Sequence, residues 1–167
     1  PQQVNPYLLD KEEAARLAQL DVRIYISSEW DEFWSYVRSK SNKRWTWYIV
    51  ERRSGLVVAW ENGDRSDATL KRLLAKVAHL PIRICHTDSW GAYLRLLPKD
   101  FFHIVGKDNT WKIERKNLNF RTHIKRLHRK TICFSKNQTI HDNVIGMYIE
   151  KYYYKSGSFS DYFKNAA

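Results

Sequence analysis

A chain of 167 residues, 43% of them hydrophobic and 14% aromatic, is long enough to bury the core of one domain and too apolar to stay unfolded. No apolar run approaches the ~20 residues of a membrane helix. Lys plus Arg less Asp plus Glu gives 29 − 18 = +11, a charge suited to a polyanion: nucleic acid first, a membrane surface or an acidic protein after it.

Cys85 and Cys133 lie far apart, outside any CxxC or Cys/His cluster. That pattern excludes a disulfide framework and a zinc site legible from spacing, and it favours a reducing, intracellular setting. The chain opens on Pro1 without a basic-then-apolar leader, which reads as a fragment or a processed product with no export signal.

In chain order, residues 1–20 form an N-terminal helix or linker. "LLDKEEAARLAQL" has Asp10 at an N-cap position, acids in the first turn and apolar residues at helical spacing. From residue 21 the texture turns to β-branched and aromatic residues. "VRIYISSEWDEFWSYV", "RWTWYIVERR" and "LVVAWENG" predict three successive antiparallel strands, broken at "SKSNK" and at Ser54-Gly55. "SDATLKRLLAKVAHL" (66–80) predicts a helix that stops at Pro81.

"IRICHT" (82–87) predicts a strand buried on both faces, "SWGAYLRLL" a short helix and "FFHIV" (101–105) a further strand. A long helix is expected from Asn109 to about Arg129 and a last one over 138–153. Three strands followed by alternating helices and strands, with flanking helices, is the order of an α/β ribonuclease H-like mixed sheet. The expected domain spans 21–154, and "KSGSFSDYFKNAA" makes 155–167 a loose C-terminal tail.

Charge is unevenly placed. Residues 1–34 carry three bases and seven acids (3 − 7 = −4), whereas 107–136 carry ten bases and two acids (10 − 2 = +8). "TWKIERKNLNFRTHIKRLHRK" (110–130) holds Glu114 as its single acid among eight bases.

Open α/β sheets bind ligands at the carboxyl ends of their strands, and three acids fall near such places: Asp31 within the first strand, Asp88 just after "IRICHT", and Glu114 early in the basic helix. Two aspartates and a glutamate are the hard oxygen donors that two-metal phosphodiester chemistry needs. Each also has a plainer reading. Asp88 fits a helix N-cap, Asp31 beside Glu32 a solvated pair at a strand edge, and Glu114 an early-helix acid favoured by the dipole. No GxSxG, Cys/His pair or GxxxxGK[ST] loop is present to suggest other chemistry.

"WDEFWSYV", "HTDSWGAY", "WKIERKNLNFRTHIKRLHRKTICFS" and "IHDNVIGMYIEK" closely resemble the catalytic region of the bacterial insertion-sequence-one transposases, members of the DDE group with a ribonuclease H-like core. The likeness runs from Glu29 to Tyr153 and is most specific over 112–135. It implies Asp31, Asp88 and Glu114 as catalytic, metal-binding residues, with Mg²⁺ or Mn²⁺ as a pair of ions. It implies phosphodiester hydrolysis at element ends and transfer of the freed 3′-hydroxyl into target DNA, without a covalent protein intermediate.

The partners implied are DNA, a second copy in a homodimer, and a zinc-binding and helix-turn-helix recognition region that this chain lacks. The setting is the bacterial cytoplasm, at the nucleoid. The pattern departs at Arg38, where the family has glycine, and at Ser89, where it has an acid. The rival reading is a decayed, non-catalytic DNA-binding module that competes with a full-length transposase.

On a continuous helix Glu114 and Arg121 stand within about 20° of one face, with Asn117 and Lys125 near the same stripe. Asn117, Arg121 and Lys125, with Arg126, Arg129 and Lys130 beyond, are the DNA-contacting candidates. Ile113, Phe120, Ile124 and Leu127 form the opposing apolar stripe. Trp90 and Trp111 fit either base stacking or the core. His86 shares a strand face with Asp88. His103, Lys107 and His141 match the family in type and receive no role. "RKTICFS" is expected to pack the last two helices, with Cys133 buried.

Overall fold

The computed structural model describes residues 26–106 and 111–153. The expected N-terminal helix of 1–20 and the tail of 155–167 lie outside them, as does Lys107. The order is β1 (Ile26–Tyr36), β2 (Lys43–Glu51), β3 (Val57–Gly63), α1 (Asp67–Val77), β4 (Ile82–Thr87), α2 (Gly91–Leu96), β5 (Phe102–Val105), α3 (Trp111–His123), a 3-10 turn (Lys125–Leu127) and α4 (Gln138–Tyr153).

One five-stranded sheet runs β3-β2-β1-β4-β5. β2 is antiparallel to both its neighbours, while β4 runs parallel to β1 and β5 parallel to β4. The single reversed strand and the helical crossovers that follow make this a ribonuclease H-like mixed sheet. α1 opens on Ser66, whose hydroxyl accepts from Thr69 N, and it closes before Pro81.

Period-2 alternation divides β1 between two layers. Ile26, Trp30 and the partner positions Trp47 and Ile49 of β2 pack beneath α1 and α2, together with Leu70, Leu73 and Tyr93. Phe33, with Tyr48 and Val50 of β2, packs beneath α3 and α4, against Ile113, Phe120, Ile145 and Ile149. β2 is therefore buried on both faces, which accounts for its unbroken apolar run.

Gly146 sits mid-helix in α4 because a Cβ there would stand 2.9 Å from the Trp60 ring of β3. Arg38 occupies the left-handed region at φ 67°, the conformation for which glycine is suited. Its amide donates to Ser135 O (2.7 Å) and its Nε to Lys136 O (3.0 Å), which hold it there.

Two expectations are corrected. The basic helix ends at His123, and Ile124 is extended (φ −97°, ψ 101°). Thr122, His123 and β-branched Ile124 are weak helix formers. Thr122 Oγ1 turns back to Leu118 O (3.1 Å) and Asn119 O (3.2 Å), a habit that bends helices. The His128 ring meets the freed Thr122 carbonyl at 2.9 Å. Ile124 and Leu127 still reach the same apolar layer as Phe120, but Lys125 is not on the stripe of Glu114. Cys133 is exposed rather than buried, because Val37 and Arg38 engage this segment through Ser135 and leave Ile132 90% exposed beside it.

Candidate active site

β1 meets α3 through its odd residues, and the strand step of two matches the helix step of three to four. Glu29 Oε2 accepts from Ile113 N (2.9 Å), Asp31 Oδ2 accepts from Asn117 Nδ2 (2.5 Å), and the Phe33 and Phe120 rings stand 4.9 Å apart. Glu29, fully buried, thereby satisfies a first-turn amide of α3 from another element, as a capping side chain does. Its other oxygen takes Arg52 Nε at 3.1 Å, and Lys112 Nζ returns to Arg52 O. The first turn of α3, which carries Glu114, is pinned to β1 by this set.

Asp31 is half-buried, its Oδ1 accepting from Glu32 N at 2.8 Å. Burial pushes its carboxyl up to about 7, and the charges of Glu32 and Asp88 push the same way, while the bonds from Glu32 N and Asn117 oppose them. Tyr48, opposite Asp31 on β2, places its hydroxyl 2.9 Å from both Asn117 Oδ1 and Ile113 O. Asn117 thus turns its Oδ1 toward the Tyr48 hydroxyl and its Nδ2 toward Asp31. The side chain first read as reaching DNA is bonded to Asp31 in this structure.

Asp88 follows β4. Glu29 lies opposite His86 in the parallel pairing of β1 and β4, and Asp88, just past the end of β4, is near enough for its charge to act on Asp31. Asp88 Oδ1 accepts from Trp90 N at 2.9 Å, closing the turn that leads to α2, but the N-cap of that helix is Trp90, with no side-chain cap. Glu114 is exposed on α3, one turn before Asn117, a spacing that leaves Cβ atoms roughly 5–6 Å apart. Among the described residues, no three His, Cys, Asp or Glu side chains stand together as a ready-made metal site.

Several acids and bases escaped sequence reasoning. Glu32 is no solvated partner of Asp31: it faces the other layer, buried, where Oε1 takes Arg65 Nε and Nη2 (2.9 and 2.7 Å) and Oε2 takes the Tyr93 hydroxyl (2.8 Å). Burial still raises its carboxyl above the usual range, with Asp88 adding to the effect. Strict alternation along β1 is the signal that could have separated Glu29 and Asp31 from Glu32.

His86 is buried, with Nε2 2.9 Å from Arg52 Nη1 and Nδ1 without a partner. Burial and Arg52 lower its pKa. His103 Nε2 lies 2.6 Å from Thr87 Oγ1. His141 is held between Ser35 Oγ (2.8 Å) and Ser135 Oγ (2.7 Å). Trp90 is half-buried against Trp47 and Tyr93, whereas Trp111 is 59% exposed.

The basic residues divide. Arg121 lies one turn beyond Asn117, close enough for its charge to act on Tyr48, and with Leu118, Thr122, His128 and Arg129 it lines a groove. Lys125 and Arg126 line a second groove, between the 3-10 turn and α4. Lys130 is exposed at φ 58° in the turn that follows.

Residues 24–155 match the family model described as IS1 transposase. The InsB protein of insertion element iso-IS1n from Shigella dysenteriae is 48% identical over 124 residues, covering 74% of this chain and 94% of that protein. The InsB protein of insertion element IS1 from Shigella flexneri is 42% identical over 130 residues, covering 78% and 98%. Among solved structures, a chain in the simian T-cell lymphotropic virus intasome in complex with PP2A regulatory subunit B56 gamma is 16% identical with a TM-score of 0.47, over 85% of this chain and 55% of that one. With most of its length matched by the family and near-half identity to an InsB protein, the chain belongs to the IS1 transposase family.

Proposed function

We propose that the chain is the catalytic domain of a DDE transposase, hydrolysing phosphodiesters at element ends and joining the freed 3′-hydroxyl to target DNA. The observation that carries this reading is that Asp88, just past β4, lies near enough for its charge to act on Asp31 of the neighbouring parallel strand β1, while Glu114 stands one turn from the Asn117 bonded to Asp31. These three carboxylates are the residues that would hold Mg²⁺ or Mn²⁺, as a pair of ions. The donor set fits: all are hard oxygen ligands, and the Asp31 carboxyl, raised first by burial and then by the charges of Glu32 and Asp88, is one whose ionised form a cation would favour. When bound, such ions lower the pKa of an attacking water or hydroxyl and neutralise charge on the leaving oxygen.

The chain's own residues do the rest. Tyr48 fixes Asn117, Asn117 aims one Asp31 oxygen, and Glu29 sets the first turn of α3. Arg121, one turn past Asn117, meets the scissile phosphate from the helix side, and Arg129 extends that cationic groove along the DNA backbone. Recognition of element ends falls to a zinc-binding and helix-turn-helix region outside these residues, and the reaction runs on a homodimer at the bacterial nucleoid.

The test is cleavage and joining of an element-end duplex in Mg²⁺. Asp31→Asn, Asp88→Asn and Glu114→Gln each abolish both steps while DNA binding and the melting transition persist. Near-normal activity in any one of them removes that residue from the triad. DNA binding by the unmodified chain with no divalent-dependent cleavage selects the non-catalytic reading instead.

A further inference from the structure

The break at Ile124 does more than shorten a helix. It turns Lys125 and Arg126 away from the groove of Arg121 and Arg129 into a separate one, whose opposite wall is α4. That wall is aromatic and basic: the Tyr148 and Tyr152 rings lie 4.7 Å apart, His123 Nδ1 is 2.7 Å from the Tyr148 hydroxyl, and Lys151 Nζ stands 5.2 Å from the Tyr152 ring. Tyr152 keeps 52% of its surface open. No acid lines this groove, and among the described residues none of its cations is in an ion pair.

Cations and an exposed aromatic ring in one groove are what an unpaired nucleic-acid strand requires, its phosphates on the cations and a base on the ring. A duplex keeps its bases inside and has no use for the exposed ring. We propose that this groove binds a single-stranded stretch of DNA, with phosphates on Lys125, Arg126 and Lys151 and a base stacked on Tyr152. The proposal rests on the reading of the chain as DNA-acting and is independent of its metal chemistry. It gives the protein a second DNA site, away from the carboxylates, for strand left unpaired beside the cleavage point.

The experiment is fluorescence anisotropy in EDTA, where the metal-dependent reaction cannot run, with a labelled oligothymidylate of about 12 nucleotides and a duplex containing the same strand. Tyr152→Ala is expected to weaken oligothymidylate by about 5- to 100-fold, the range one lost stack gives, and to leave duplex affinity within about 2-fold. Tyr152→Phe restores binding. Lys125→Ala with Lys151→Ala lowers the salt slope of oligothymidylate binding by about 1.4, roughly 0.7 per phosphate.

Unchanged oligothymidylate affinity in Tyr152→Ala, or an equal loss for duplex, overturns the proposal. So does a sedimentation profile in which Tyr152→Ala converts a dimer to monomer without loss of oligothymidylate affinity, which gives the face to a second copy. Loss of cleavage in the carboxylate variants leaves these readouts untouched, so failure of the active-site reading and failure of this one are separable.

Discussion

The lysines and arginines on the sheet side of the molecule and those on its last two helices have opposite fates. Every ion pair among the described residues draws its cation from positions 44–95: Arg44 with Asp142, Arg52 with Glu29, Arg65 with Glu32, Arg72 and Lys76 with Glu61, Arg83 with Asp100 and Arg95 with Asp67. The cations from Trp111 to Tyr153 make none. Two of the first group, Arg52 and Arg65, neutralise acids on opposite faces of β1, which a folded core must do for a buried charge. In the second group Lys112 bonds a carbonyl and Lys116 lies over the Tyr153 ring, while Lys125, Arg129 and Lys130 are exposed. Among the described residues ion pairing is confined to cations of the first region, and on the proposed function the second region's charge is there for DNA; substitutions should separate the two.

The largest effect belongs to the buried acid that joins the regions. Glu29→Ala leaves Arg52 and the Ile113 amide without their partner and should cost about 2–4 kcal/mol, the range for breaking a mostly buried, hydrogen-bonded pair. Urea unfolding measures it, with Glu29→Gln, which keeps an acceptor for Ile113, losing less. A loss below about 1 kcal/mol would place this pair with surface ion pairs and dissolve the contrast.

Next comes a pH effect at the seam between β1 and α4. Burial lowers the pKa of His141 between its two serines. The folded chain therefore holds it neutral, while the unfolded chain takes up a proton near pH 6.5. Its contribution is fully present above that pH and falls on acidification below it. The urea midpoint of the unmodified protein should drop more between pH 7 and pH 5 than that of His141→Gln, and parallel profiles would rule the histidine out as the cause.

The smallest stability effect is expected where the binding effect is greatest. Arg121→Ala and Arg129→Ala should move unfolding by no more than about 0.5 kcal/mol, as ordinary surface changes do. Each should also lower the salt slope of duplex binding by about 0.9, one phosphate contact. A destabilised variant with an unchanged slope would assign these arginines to the fold.

Much of this architecture was legible in order and type. The β-branched runs, the leucines of α1, Pro81 and the alternation along β1 each carry a local physical signal, and the strands and helices fall where those signals lie. The helix end at His123 carried only a weak signal, since no glycine or proline marks it and the back-bonding of Thr122 and the ring of His128 act through three dimensions. That single misreading put Lys125 on the wrong face. Arg38 ran the other way. The position looked like an ordinary departure in a loop, yet its left-handed backbone shows why a glycine suits it.

The sequence alone determined the alternation of polar and apolar residues, the basic character of the last third and the presence of Asp31 within a strand, Asp88 just after one and Glu114 early in a helix, because these follow from residue type and spacing. Only the tertiary structure decided which groups each acid faces. Asp31 and Glu32 are adjacent in the chain, but the pleat sends one to Asn117 and the other to Arg65 and Tyr93. Asp88, far from both in sequence, comes near enough for its charge to act on both because β4, which it follows, pairs in parallel with β1. A carboxylate's neighbours, and so its charge state and its use, are set by strand register and helix docking, which no local pattern encodes.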